Sequence, residues 1–149
     1  MSVNKLLDQI KINTNIWKSS IHGLQHWRNV ERNGLFLARG KEINSKIISY
    51  FAYLHDCCRE NEGSDPLHGP RAVRFAKKYR HFFDLNDSDF KLLLRACSGH
   101  TFADPGNVIG SNKTISVCWD ADRLDLPRVG IQPDPKRLFT EEAKILCKK

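Results

Sequence analysis

Ile43, Ile47, Phe51 and Leu54 recur at steps of four, four and three residues, and this spacing constrains the chain more than any other feature. Apolar side chains repeating at that interval lie on one face of an α-helix. Tyr50 and Ala52 widen the face, so residues 43–57 read as a central, buried helix. The same period recurs along the chain. Val3, Leu6, Leu7 and Ile10 mark a helix over 3–12, and Leu24, Trp27, Val30 and Leu35 mark one from Ser20 to Ala38, ending near Gly40. Residues 69–83 form another, with Pro70 in its first turn, where a missing N–H is tolerated. Asn86 or Asp87 caps a helix that carries Phe90, Leu93, Leu94 and Cys97. KTISVCWDADRLDL reads as one more, stopped by Pro127 and Gly130, and Thr140 followed by Glu141 and Glu142 opens a short last one. RENEGSDP and FADPGNVIGSN are loops. Few segments alternate with period two. The expected fold is all-α, a compact bundle of about six to seven helices with at most a fragment of strand.

A chain of 149 residues is the length of one domain, here 1–149. At that size about two-thirds of the unfolded surface is hidden on folding, so neither a disulfide nor a structural metal is needed for a core. Apolar residues make up 40% and charged residues 28%, the balance of a soluble globular protein. No apolar run is long enough to span a bilayer, and the opening MSVNKLLDQIKINTN lacks a secretory h-region. The five cysteines include the adjacent pair Cys57 and Cys58 and no CxxC spacing, so a zinc ribbon or dithiol redox motif is excluded. Free, reduced thiols in a cytoplasm are the expectation. Lys and Arg number 24 against 17 Asp and Glu, a net charge of +7, which favours an anionic partner.

The chemistry lies in the histidines and aspartates. His22 and His26 are four apart, which stacks both rings on one helix face within reach of one metal ion; a capping or core pair is the plainer alternative. His55 and Asp56 end the most apolar helix, where an ionised carboxylate is costly without a partner. A shared divalent ion would supply one, and imidazole with carboxylate suits zinc, manganese, iron or nickel. Asp120 and Asp122 follow another apolar run, and either is equally readable as a capping or salt-bridged acid, with Arg123 beside them. His68 opens a helix and His100 ends one.

Taken in order, these residues resemble the HD-domain superfamily of metal-dependent phosphohydrolases. The matching motifs are HxxxV at His26–Val30, HD at His55–Asp56 and ADRL at Ala121–Leu124, and they span most of the chain. The resemblance implies an all-α bundle whose metal ligands are His26, His55, Asp56 and Asp122. It also implies that His68 and His100 hold a second ion, as in dinuclear members. His22 sits where some multi-metal members carry an acidic extra ligand, so it departs from the pattern and is assigned to substrate. Cys57, Cys58 and Arg59 stand where the HD-GYP subgroup has Gly-Tyr-Pro, so cyclic-di-GMP hydrolysis is not implied.

The expected activity is hydrolysis of a phosphate ester of a nucleotide or related small molecule by a metal-activated water. One or two divalent cations are the cofactor, with manganese, iron, nickel, zinc, cobalt and magnesium all open. Asp56 would bridge two ions, and Arg59, one turn past His55, would clamp phosphate with its fork of donors; a surface ion pair with Glu60 or Glu62 is its other reading. Arg71 and Arg123 complete the substrate-binding set. Arg71, Arg74 and Lys78, with Lys77 and Arg80 nearby, form a basic stripe that is either a solvated face or a guide for a polyanion. Trp27 and Trp119 are core residues or stacking platforms for a base. The alternatives are a nuclease or phosphodiesterase acting on RNA or single-stranded DNA, and a non-catalytic ligand-binding module of the same fold.

Overall fold

The computed structural model describes residues 2–102, 105 and 112–148. Most of the loop expected at 102–112 therefore lies outside the described residues. Seven α-helices and no strand occur among the described residues: α1 (Ser2–Asn13), α2 (Leu24–Leu37), α3 (Ser45–Leu54), α4 (His68–Lys78), α5 (Asp87–Gly99), α6 (Lys113–Arg123) and α7 (Glu141–Cys147). The chain is all-α, as the apolar period implies. No helix among the described residues is long and apolar enough to cross a membrane.

Local chemistry sets the helix starts. The Asn44 side chain accepts from Lys46 N, Asn86 from Asp89 N, Asn112 from Thr114 N and Ile115 N, and Thr140 from Ala143 N. Each satisfies a first-turn donor that the helix itself leaves unpaired. The helix ends come earlier than the apolar pattern suggests. α3 stops at Leu54, leaving His55 to Cys58 in a turn. α4 stops at Lys78 and a 3₁₀ turn covers Arg80–Phe82. α6 stops at Arg123, and Pro127 sits inside a separate 3₁₀ turn, Leu126–Val129, rather than ending a helix. α2 begins at Leu24, so His22 precedes it and does not share its face with His26.

α3 is the hub. Ile47, Ile48, Tyr50, Phe51, Ala52 and Leu54 are all at most 1% exposed, because α2, α5 and α6 pack around them, with α1 at the side. A helix apolar all round has no solvent face to keep. Gly34 of α2 faces Ile48 and Ala121, and a Cβ there would run into the Ile48 side chain; the missing side chain lets α2 lie close to both α3 and α6. Trp27 and Trp119 are 0% and 1% exposed, and Trp119 Nε1 donates to the Ala96 carbonyl. Both are core residues, which removes the stacking role considered for them. All five cysteines are free thiols.

Asp120 is fully buried and points away from the histidines. Its carboxylate accepts from Phe139 N, Thr140 N and the Thr140 hydroxyl at 2.7–2.9 Å, tying the chain before α7 to α6. Burial pushes its pKa up, against the pull of those same donors. Asp120→Ala strands two backbone donors in the interior, so it should lower the unfolding free energy by about 2–4 kcal/mol. Urea titration of the two proteins reads this directly; an unchanged midpoint would contradict it.

Candidate metal centre

Five segments deliver side chains to one point. His26 comes from the inner face of α2, His55 and Asp56 from the turn that ends α3, His68 from the start of α4, His100 from just past α5, and Asp122 from the last turn of α6. Gly69 explains one of these meetings. A Cβ there would lie 2.7 Å from the Cys97 carbonyl oxygen and 3.0 Å from that of Ser98, so only glycine lets α4 approach the end of α5 closely enough to set His68 beside His100.

Asp56, 3% exposed, is the centre. Its Oδ2 lies 3.3 Å from His26 Nε2 and 3.4 Å from His55 Nε2. Its Oδ1 lies 3.1 Å from His68 Nε2 and 3.3 Å from His100 Nε2. Asp122 Oδ1 completes the first group, 3.1 Å from His26 Nε2 and 3.4 Å from His55 Nε2. The carboxylate of Asp56 thus faces two imidazole pairs, one with each oxygen.

The outer ring nitrogens decide what the inner ones carry. His55 Nδ1 is 3.0 Å from the carbonyls of Phe51 and Ala52. His68 Nδ1 contacts the Asp65 carbonyl and His100 Nδ1 that of Cys97 at 2.7 Å. His26 Nδ1 is 2.7 Å from Asp125 Oδ2. A carbonyl or carboxylate only accepts, so each Nδ1 holds the ring's proton and each neutral Nε2 presents a lone pair inward. These lone pairs face each other at 3.2 Å for His26 and His55 and 2.8 Å for His68 and His100. Two lone pairs at such distances, against a carboxylate oxygen, repel unless a cation or an extra proton stands between them.

The spacing suits a cation. Donors about 2.1 Å from one ion stand about 3.0–3.4 Å apart in octahedral or tetrahedral geometry, and the first group spans 3.1–3.4 Å. His26, His55 and Asp122 form one cluster able to hold a metal ion, and His55, Asp56 and His100 form another that overlaps it. Imidazole nitrogen and carboxylate oxygen are the donor set of a divalent transition metal.

Without a metal, protons take its place in the first group. Burial disfavours the charged form of His26, but Asp122, Asp125 and Asp56 outweigh it and raise its pKa to about 10. Burial is likewise outweighed at His55, where Asp56 and Asp122 raise the pKa to about 9. The carboxyls of Asp56 and Asp122 are held well below the usual range, the imidazoles overcoming the cost of burial. At His100 burial wins and lowers the pKa, leaving a neutral ring of the kind a metal binds.

Sequence reasoning brought His26, His55, Asp56, Asp122, His68 and His100 to this site, and the structure gathers all six. His22 is also here, 8% exposed, with the opposite orientation. Its Nε2 meets the Glu62 carbonyl at 3.1 Å, so its Nδ1 carries the lone pair. That Nδ1 lies 3.8 Å from Asp56 Oδ2 and has no hydrogen-bond partner among the described residues. Arg59 reaches the centre although its helix has ended: Nε is 3.5 Å from Asp56 Oδ1, and Nη1 donates to the Gly63 carbonyl at 3.0 Å. Arg71 stands one layer back. It bonds Asp65 and the Cys58 carbonyl, and so steadies the turn whose carbonyl orients His68. Arg123 lines the cavity over the centre while its Nη1 donates to the Arg137 carbonyl at 2.7 Å.

Three residues escaped the sequence reading. Asp125 orients His26 and is itself held by Asn29 Nδ2 at 3.0 Å; Asn29 and Asp125 lie on different helical turns far apart in sequence, so nothing local marks the pair. Thr101 and Arg128 line a cavity of about 230 Å³ over the centre, together with Arg59 and Arg123. Thr101 Oγ1 is buried with no hydrogen-bond partner among the described residues. Arg128 is anchored by the carbonyls of Ile21 and Asp125 at 2.6 and 3.0 Å. No protein-family model, no curated protein and no solved structure matches the chain.

Two outcomes follow. Asp125→Ala should weaken binding of manganese or zinc about 10–100-fold by releasing the His26 ring, measured by metal titration; an unchanged affinity would deny Asp125 that role. The raised pKa values of His26 and His55 stabilise the metal-free chain below the ordinary value of 6.5, and this contribution is lost as pH rises toward 9–10. Metal displaces those protons, so its affinity climbs over the same window. The gap between metal-loaded and metal-free melting temperatures should widen from pH 6.5 to 9; calorimetric scans showing a constant gap would contradict the assignment.

Proposed function

We propose that the chain is a metal-dependent phosphohydrolase of the HD type, hydrolysing a phosphate ester of a nucleotide or related small molecule. The observation that carries this reading is the inward convergence of four imidazole lone pairs on the two oxygens of Asp56. His26, His55, Asp56 and Asp122 would hold one divalent cation, and Asp56, His68 and His100 a second. Such cations bind phosphate oxygens and make a bound water a nucleophile near neutral pH.

The chain's own residues supply the rest. Arg59, Arg123 and Arg128 bring guanidinium groups to the cavity, where a phosphate carries its charge. Such charge-assisted donors oppose the charge that builds on phosphoryl oxygens during displacement. Thr101 offers a hydroxyl to the same space, and the unpartnered His22 Nδ1 beside Asp56 can accept a hydrogen bond from a water. In the reaction the water oxygen bonds to phosphorus and the ester P–O bond breaks. One water proton leaves with the alcohol product and the other stays with the released phosphate or the solvent.

The nuclease reading has weaker support. Arg71 is committed to Asp65, so the expected basic stripe is not a row of three uncommitted cations. A non-catalytic module would have no use for a complete ligand set with its outer hydrogen bonds in place.

Phosphate release from mononucleotides, dinucleotides and oligonucleotides, measured with each of manganese, iron, nickel, zinc, cobalt and magnesium, tests the reading. A mononucleotide or dinucleotide should be hydrolysed with at least one cation, and Asp56→Asn should lower the rate about 10²–10³-fold or more. Inertness toward every substrate with every cation, or full activity of Asp56→Asn, would overturn it.

A further inference from the structure

The metal centre is not the largest recess on the molecule. A groove of about 900 Å³ runs between the end of α1, the turn after α3 and one face of α4. The cavity over the metal centre is about 230 Å³. Sites for drug-sized ligands run from roughly 300 to 1,000 Å³. The inner cavity is therefore matched to a phosphate and little more, whereas the groove has room for a nucleotide.

Among the described residues, Arg59 is the one that lines both spaces. Its Nε faces Asp56 and is buried without a hydrogen bond among the described residues, while its Nη1 is turned to the carbonyls of Asn61 and Gly63. The guanidinium is thus the partition between the metal centre and the groove, with donors directed to either side.

The groove's chemistry is that of an anion site. Lys18, Arg59, Arg71 and Arg74 line it against only two acids, Glu60 and Glu62. Those acids are engaged: Glu60 lies 3.4 Å from Arg71 Nε, and Glu62 takes the Ser19 hydroxyl. Lys18 and Arg74 are exposed, so they carry the net positive charge of the rim. Asn13, Asn15 and Asn61 add carboxamides, which can both donate and accept. The Asn15 side chain makes no capping hydrogen bond, and Phe75 adds an aromatic surface on the α4 side.

We propose that this groove binds the second phosphorylated part of the substrate. The substrate is then a small molecule of nucleotide size carrying at least two phosphoryl groups, one at the metal centre and one beyond Arg59. This deepens the phosphohydrolase reading and rests on it. The substrate's polar body lies against the asparagines and Phe75, and its second phosphate meets Lys18 and Arg74. A plain monoester fills only the inner cavity.

The test compares p-nitrophenyl phosphate, which needs the cavity alone, with adenosine 3′,5′-bisphosphate, using wild type and the double variant Lys18→Glu/Arg74→Glu. Both positions are exposed, so the variant keeps its core. The expected result is kcat/KM for p-nitrophenyl phosphate within about twofold of wild type, and kcat/KM for the bisphosphate down about tenfold or more through KM. Equal loss on both substrates, or no loss on either, overturns the groove. Calorimetry of the metal-free protein with adenosine 3′,5′-bisphosphate gives a readout independent of turnover. Binding that weakens about tenfold in the variant supports the groove even if the metal-loaded enzyme proves inert, an outcome that would sink the phosphohydrolase reading alone. No binding of the bisphosphate to wild type overturns the groove itself.

Discussion

A carboxylate with almost no exposure sits among four imidazole rings, and the arrangement of the helices around Asp56 follows from making that tolerable. An unpaired charge in an apolar interior is prohibitive. The surrounding rings answer it only because each is locked by its outer nitrogen: His55 and His100 on carbonyls in the last turns of α3 and α5, His68 on the Asp65 carbonyl in the loop before α4, and His26 on Asp125. Helix ends are where carbonyls lack an internal partner. Ending α3 at Leu54 and α5 at Gly99 therefore positions His55 and His100 and satisfies backbone groups at the same time.

The two faces of Asp56 differ electrostatically. On the Oδ2 side three carboxylates, Asp56, Asp122 and Asp125, surround His26, which keeps that ring protonated when no metal is bound. On the Oδ1 side burial dominates at His100 over the pull of Asp56 and Asp122. A cation binding His26 and His55 must displace protons, and one binding His100 meets a ring already neutral. The two positions are thus expected to load with different pH dependence, although they share a ligand.

Much of this was legible in the residues. The helical period exposed the all-α class because α3 is apolar nearly all round and amphipathic helices pack against it. His26, His55, Asp56 and Asp122 stood out through their order and spacing, which survive without knowledge of the fold. Helix ends were not legible: nothing in the apolar pattern of 43–57 says that α3 stops before His55, since apolar residues continue to Cys58 whether or not the backbone stays helical. Asp125 was invisible because its partners His26 and Asn29 lie almost a hundred residues away. Asp120 and Asp122 look alike by composition; the ADRL resemblance singled out Asp122, and their directions, one toward Thr140 and one toward His26, separate a structural acid from a candidate ligand. The pattern of the basic stripe does not reveal that Arg71 is held by Asp65, because that partner lies in the preceding loop.

The central claim is that cations occupy both sides of Asp56. Anomalous diffraction from crystals grown with manganese tests it most directly. The account predicts two peaks, one ringed by His26, His55 and Asp122 and the other by His68 and His100, with an Asp56 oxygen on each. Crystals with no peak at Asp56, the imidazoles holding one another through protons alone, would contradict it.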